Sequence, residues 1–361
     1  MNDNNSKLKI CFFINGFGGG GAEKQCAYLI NELQKDENLS ISLVYFFEGI
    51  NFHMVNQEKI QIFKVPSSSL YSFENIPLTK NIIAKIEPDI VFTWMQAPDV
   101  LAFFLKIKFK KIKWILAERS SKYSFFDYRY VLRAIVGRFS DLIICNSEEG
   151  KSYWRKRFIP GKKIVIAPNI LYKPDVKKLN HNVINGSPKI LFAGRLEEQK
   201  NVLTLARAFC LLADKYPDGR FYIIGKGSLK DKIVSIIKEK QKDHQVIVMP
   251  FQKNILDYFA STDIFVSVSN YEGLPNTVIE NVSLNNKIVV SKITEHTNIL
   301  GNQFKYYVNN LNNEQEISEV IESSLFDQDY APQLDYAREK IKKMSPENVV
   351  AVYKQYFTAI K

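Results

Sequence analysis

No apolar run in the sequence approaches the ~18 residues that a membrane-spanning helix needs. The first such run, Leu8–Ile14, is short and leads into glycines. The opening stretch, Met1–Lys9, is polar and shows no signal-peptide core, so a cytoplasmic protein is expected. Cysteine is scarce: Cys11, Cys26, Cys145 and Cys210 are scattered with no CxxC pair. That excludes a small disulfide scaffold and suggests buried free thiols in a reducing compartment. The four histidines (His53, His181, His244, His296) show no HExxH or similar spacing, which argues against a zinc enzyme. No Gly-Lys-Ser/Thr follows the glycine loop, so this is not a Walker nucleotide site.

What is present fits a folded protein of two domains. The chain has 361 residues, 46% hydrophobic and 24% charged, which is ordinary globular composition. The formal charge of +11 is unevenly placed. Leu101–Val165 carries 16 Lys/Arg against 5 Asp/Glu, and the remainder balances at 33 against 33. In this segment Lys106, Lys108, Lys110, Lys111 and Lys113 stand beside Phe103, Phe104, Phe109 and Trp114. Arg129 and Arg133 follow among Tyr123, Phe125, Phe126, Tyr128 and Tyr130. Cations mixed with rings suit an anionic membrane surface. A solvated basic face over core aromatics is the plainer alternative. Nucleic acid is not expected as a partner, because no recognition motif accompanies the charge.

Short apolar runs alternate with amphipathic segments, which predicts parallel sheets wrapped by helices. Strands are expected at Leu8–Ile14, Ile41–Phe47, Ile60–Val65, Asp89–Trp94, Lys113–Ala117, Leu142–Cys145 and Ile164–Ala167. Pro168–Pro188 is polar, with Pro168, Pro174, Gly186 and Pro188, and reads as a linker. The pattern then restarts, with strands at Lys189–Ala193, Phe221–Ile224, Val246–Met249, Ile264–Val268, Lys287–Val290 and Tyr306–Val308. The expected division is 1–170, 171–344 and a closing helix, 345–361, packing back on the first domain.

Three segments carry chemistry. Asn15–Glu23 (NGFGGGGAE) follows the first strand and opens a helix, where glycines let backbone N–H groups approach a phosphate. It lacks GxGxxG. Phe192–Asn201 (FAGRLEEQKN) also joins a strand to a helix. Arg195 and Lys200 bracket that turn and Gly194 permits close approach, an arrangement suited to a diphosphate. Ser269–Glu280 (SNYEGLPNTVIE) places Glu272 in a loop after a strand and Glu280 inside the next helix, with Pro275 suited to that helix's first turn. Carboxylates so placed suit vicinal hydroxyls.

Together, GGAE at Gly20–Glu23, GRLEEQKN at Gly194–Asn201, GKGSL at Gly225–Leu229 and EGLPNTVIE at Glu272–Glu280 resemble the retaining glycosyltransferases of family four. The resemblance covers nearly the whole chain. It implies the GT-B fold, an α/β architecture of two Rossmann-like domains with parallel sheets facing across a cleft. The donor nucleotide sugar would bind the second domain and the acceptor the first. It implies that Arg195 and Lys200 neutralise the donor diphosphate, that Glu280 holds the ribose and that Glu272 contacts the transferred sugar. Gly273, Leu274 and Pro275 would add backbone contacts. Gly20 and Gly21 would approach the diphosphate from the first domain. Gly194, Gly225, Gly227 and Phe251 would line the nucleotide side.

One departure stands out. Many members carry a His after a first-domain strand; here Ala117-Glu118-Arg119-Ser120 resembles a Glu-Arg-Asn version from bacterial surface-glycan subgroups, with Ser120 for Asn. Glu118 and Arg119 are carried over on that basis, Glu118 as a catalytic candidate; a strand-end ion pair is the alternative for the two. Asp327-Gln328-Asp329 forms a DxD string, but it lies between helices and reads as a solvated loop. With Arg195 and Lys200 present, no metal or other cofactor is expected.

The resulting expectation is retaining transfer of a hexose or N-acetylhexosamine, UDP-linked by family habit, to a lipid-linked glycan or lipopolysaccharide acceptor. The enzyme would sit peripherally on the inner face of the plasma membrane. An inverting enzyme of the same fold and a non-catalytic sugar-binding module remain alternatives. A nucleotide-sugar epimerase would need GxGxxG and a Tyr-x-x-x-Lys pair, and Tyr153 and Lys156 lack that spacing.

Overall fold

A computed structural model describes residues 7–119, 127–157 and 159–360. The chain forms two compact units, residues 1–170 with 344–361, and residues 171–343. The first contains β1 (Leu8–Gly16), α1 (Gly21–Leu33), β2 (Leu39–Phe47), β3 (Ile60–Lys64), α2 (Asn75–Ile86), β4 (Ile90–Trp94), α3 (Gln96–Lys108), β5 (Lys113–Glu118), α4 (Tyr128–Val136), β6 (Leu142–Cys145), α5 (Glu148–Arg155) and β7 (Ile164–Ile166). The second contains β8 (Lys189–Ala193), α6 (Val202–Lys215), β9 (Arg220–Ile224), α7 (Lys230–Glu239), β10 (Val246–Met249), α8 (Ile255–Ser261), β11 (Ile264–Ser267), α9 (Asn276–Ser283), β12 (Lys287–Ser291), α10 (Thr294–Leu300), β13 (Tyr307–Val308), α11 (Glu314–Phe326) and α12 (Asp335–Lys342). The chain then returns to the first unit as α13 (Pro346–Ile360).

Both sheets are parallel, in the orders β3-β2-β1-β4-β5-β6-β7 and β10-β9-β8-β11-β12-β13. A strand covered on both faces must be apolar throughout, and β1 shows why its run is unbroken. Ile10, Phe12 and Ile14 face one core, while Cys11 and Phe13 face the other. The closing helix fills the first of these cores with Val349, Tyr353 and Phe357, spaced one turn apart along one face. Tyr353 and Phe357 are almost fully buried, and burial of such side chains contributes about 1.5–3 kcal/mol each. All four cysteines are free and buried, and burial pushes the Cys11 thiol up to about 12.

Each sheet reverses direction once. In the second unit the chain moves outward from β8 through β9 to β10, then crosses back to β11 beside β8. Such a switch point leaves a crevice at the carboxyl ends of the two central strands, where ligands bind in open α/β sheets. The first unit has its switch between β1 and β4.

Candidate functional site

Four loops meet at the carboxyl edge of the second sheet. The loop after β8 and the loop after β9 are packed backbone on backbone. Leu196 N–H donates to the Lys226 carbonyl at 2.9 Å, and Leu229 N–H donates to the Leu196 carbonyl at 3.0 Å. A Cβ at Gly225 would lie 1.8 Å from the Gly194 carbonyl oxygen, and one at Gly227 would lie 2.3 Å from that of Leu196. The GKGSL glycines are therefore set by close approach of two chains. Glu197 locks the pair by accepting from Ser228 N–H at 2.8 Å and Ser228 Oγ at 2.7 Å, which holds its carboxyl below the usual range.

The loop after β8 is also tied to the loop after β11. Asn270 N–H donates to the Gln199 carbonyl at 2.8 Å, its side chain donates to the Glu198 carbonyl at 2.7 Å, and Gln199 Nε2 donates to the Tyr271 carbonyl at 3.0 Å. Within this frame Lys200 forms an ion pair with Glu272. Arg195 is exposed and donates to Gln199 Oε1. Glu272 is 5% exposed, accepts from Ser269 Oγ at 2.6 Å, and donates its N–H to Glu295 Oε1 at 3.1 Å. Burial pushes the Glu272 carboxyl up. The Lys200 charge and the hydrogen bonds from Lys200 and Ser269 outweigh burial and hold it below the usual range.

The remaining expected residues fall at the same edge. Gly273, Leu274 and Pro275 lead directly into α9, and Pro275 is its N-cap rather than a first-turn residue. Glu280 is half-buried in that helix. Phe251 follows β10 and is 39% exposed. Arg195, Lys200, Glu272 and Gly194 are thus brought together by β8 and β11, with Gly225 and Phe251 on the β9–β10 side and Glu280 one helix away.

The sequence reading passed over three residues here. Ser269 and Glu295 hold Glu272 by its carboxylate and its backbone, and His296 is wholly buried, within electrostatic reach of Glu272. The available signal was position: Glu295 and His296 follow the end of β12. His296 Nδ1 lies 2.9 Å from the Ser291 carbonyl, and burial lowers its pKa to about 4. Unfolded, the same imidazole titrates near 6.5. Between these values the unfolded chain takes up a proton that the folded chain refuses, so stability falls as pH drops from 6.5 to 4. The loss is about 3 kcal/mol at ~1.36 kcal/mol per pKa unit. Urea midpoints measured over this window should fall for the natural protein and fall less for His296→Gln; parallel curves would contradict the assignment.

In the first unit, Gly20 is the N-cap of α1 and Gly21 its first residue, both at the carboxyl end of β1. Glu118, carried over as a catalytic candidate, is 1% exposed, accepting from Arg133 Nη1 at 2.7 Å and Trp154 Nε1 at 2.8 Å. Arg133, itself 3% exposed, also pairs with Asp99 at 2.5 Å and donates to the Ala117 carbonyl at 3.0 Å. Burial pushes the Asp99 carboxyl up to about 6, against the pull of Arg133. Both donors to Glu118 come from the helices over the strand end, Arg133 from α4 and Trp154 from α5. Glu118 does not pair with Arg119. That guanidinium lies 4.3 Å over the Trp94 ring, donates to Asn169 Oδ1 at 3.1 Å, and bonds the Tyr353 hydroxyl of α13. Ser120 lies outside the described residues. In the DxD string, Asp327 accepts from Asp329 N–H within its loop and from the hydroxyl of Tyr306, which immediately precedes β13.

Comparison with known proteins follows this division of the chain. Residues 19–171 match the family model Glycosyltransferase Family 4, and residues 176–344 match Glycosyl transferases group 1. An uncharacterized glycosyltransferase of Methanocaldococcus jannaschii is 30% identical over 277 residues, 68% of this chain and 67% of that protein. A Campylobacter jejuni N-acetylgalactosamine-N,N'-diacetylbacillosaminyl-diphospho-undecaprenol 4-alpha-N-acetylgalactosaminyltransferase is 24% identical over 78% of this chain and 80% of its own. Among solved structures, HepE of Anabaena in complex with UDP and glucose superimposes with a TM-score of 0.80 at 16% identity, covering 97% of this chain and 99% of that one. The chain has the two-domain fold of the GT-B enzymes and belongs to the glycosyltransferases, with a family-four first unit and a group-one second unit.

Proposed function

We propose that this enzyme transfers a hexose or N-acetylhexosamine, with retention of anomeric configuration, from a UDP-linked donor to a lipid-linked glycan acceptor in surface-glycan synthesis. The observation that carries the reading is the Lys200–Glu272 pair with Arg195 beside it, at the switch point of the second sheet. In the resting protein, Lys200 is neutralised by a carboxylate. A bound diphosphate offers more negative charge and competes for that ammonium, while Arg195, hydrogen-bonded to the neutral Gln199 amide, is available to the same phosphates. Glu272 then accepts from sugar hydroxyls, and Gly273, Leu274 and Pro275 contact the sugar through the backbone. Glu280 takes the ribose, and Phe251 lies on the side of the base. Fixed positive charge aimed at the departing diphosphate lowers the barrier where charge develops. No metal or cofactor enters this scheme.

The acceptor assignment draws on the Campylobacter relative, whose name places its acceptor on a diphospho-undecaprenol, and the base on the UDP in the Anabaena structure. A lipid-linked acceptor would bring the enzyme to the cytoplasmic face of the membrane as a peripheral protein. No helix among the described residues is long and apolar enough to cross one. The test is incubation of the purified enzyme with UDP-sugars and a polyprenyl-diphosphate-linked saccharide, with NMR of the product. An α-linked product from an α-linked donor is expected. A β-linked product would establish inversion, and a product formed equally well on the free saccharide would overturn the lipid-linked acceptor.

A further inference from the structure

Helix α4 is oriented against the usual rule. A surface helix turns its apolar stripe to the core and its charges to water. Here the most deeply buried side chain of α4 is an arginine: Arg133, clamped to Asp99 and Glu118. Val136 is buried with it, but the other large apolar residues of the helix point the other way. Tyr128 is 66% exposed, and Val131, Leu132 and Ile135 continue the same face at helical spacing; one turn further, Phe139 is 53% exposed. The paired Arg133 fixes this orientation, since rotating α4 to hide the apolar stripe would pull a buried guanidinium from two carboxylates.

The patch extends onto neighbouring elements. The Phe139 ring lies 5.0 Å from that of Phe103 on α3, and Ile107, one turn further along α3, is 60% exposed. Around this apolar centre Lys108, Lys110, Lys111, Arg129 and Arg138 are exposed. Of these, Arg129 is paired with Asp127. This revises the surface expected from sequence: Arg133 and Trp114 are internal, and Tyr123, Phe125 and Phe126 lie outside the described residues.

We infer that the outward face of α4, with Phe139 and the end of α3, inserts into the headgroup region of an anionic lipid bilayer. An apolar strip bordered by cations is complementary to acyl chains beneath phosphates, whereas a second copy of this face would oppose like charges. The inference rests on the lipid-linked acceptor reading for its purpose but not for its test, since vesicle binding needs neither donor nor acceptor.

The experiment is flotation of the full-length protein with vesicles of phosphatidylcholine alone or mixed equally with phosphatidylglycerol. The natural protein should float with the anionic vesicles. The double variant Val131→Ser with Ile135→Ser should lose at least tenfold in partitioning with an unchanged melting temperature. Lys110→Ser with Lys111→Ser should weaken binding and flatten its salt dependence. Failure of the natural protein to float, or equal flotation of the Val131/Ile135 variant, would overturn the inference. So would a concentration-dependent dimer abolished by that variant, since the face would then belong to a second copy. Transfer to the detergent-solubilised acceptor, assayed on the same preparations, tests the acceptor reading separately.

Discussion

Arg195→Ala should lower kcat by about 100- to 1,000-fold, the loss typical for one charge-stabilising donor, or about 2.7–4 kcal/mol. The fold should be unaffected, because Arg195 is exposed and its hydrogen bond goes to the neutral Gln199 side chain; surface changes of this kind shift stability by roughly 0.5 kcal/mol or less. Equal falls in kcat and kcat/KM would show that the lost interaction belongs to the transition state. Lys340→Ala is the control: Lys340 lies over the Tyr336 ring on α12, and its loss should leave turnover unchanged. Similar losses in both variants would remove Arg195 from the site. Lys200→Ala would be a less clean experiment, since it also strands the buried Glu272 carboxylate.

Arg133→Ala should destabilise the protein by about 3–5 kcal/mol, the usual consequence of breaking a buried ion pair from one side. The effect is placed at that level because one guanidinium serves two carboxylates, Asp99 and Glu118, each almost without exposure. The protein should regain stability in the background Asp99→Asn with Glu118→Gln, where no buried charge is left unpaired. Denaturant unfolding of the four combinations measures this, and a loss unchanged by neutralising both acids would mean that Arg133 acts through packing alone.

The strands were the most legible feature of the sequence. In a parallel sheet covered on both sides each strand is a short apolar run between polar loops, and runs such as Leu8–Ile14 and Lys189–Ala193 reappear as β1 and β8. The clustering of the candidate residues in the second unit was legible because they are local to strand ends: Arg195 and Lys200 flank a single loop, and Glu272 and Glu280 belong to one loop and its helix. Ser269, Glu295 and His296 were missed because they act by supporting Glu272, and support depends on which strands become neighbours. The same limit explains Glu118. As the last residue of β5 it occupies a strand-end position that suits catalysis, and only the fold reveals Arg133 and Trp154 as its partners. For α4 the composition was visible and the orientation was not. Tertiary ion pairing, rather than its own periodicity, decides which way that helix faces.

The claim on which the functional account depends is that the loops after β8 and β11 form a cationic receptor for a nucleoside diphosphate. Titration calorimetry with UDP, UMP and uridine, on the natural protein and on Arg195→Ala, tests it most directly. The account predicts that UDP binds at least tenfold more tightly than UMP or uridine, and that most of this advantage disappears in the variant. Equal affinity for all three ligands, or a UDP advantage that survives in Arg195→Ala, would contradict it.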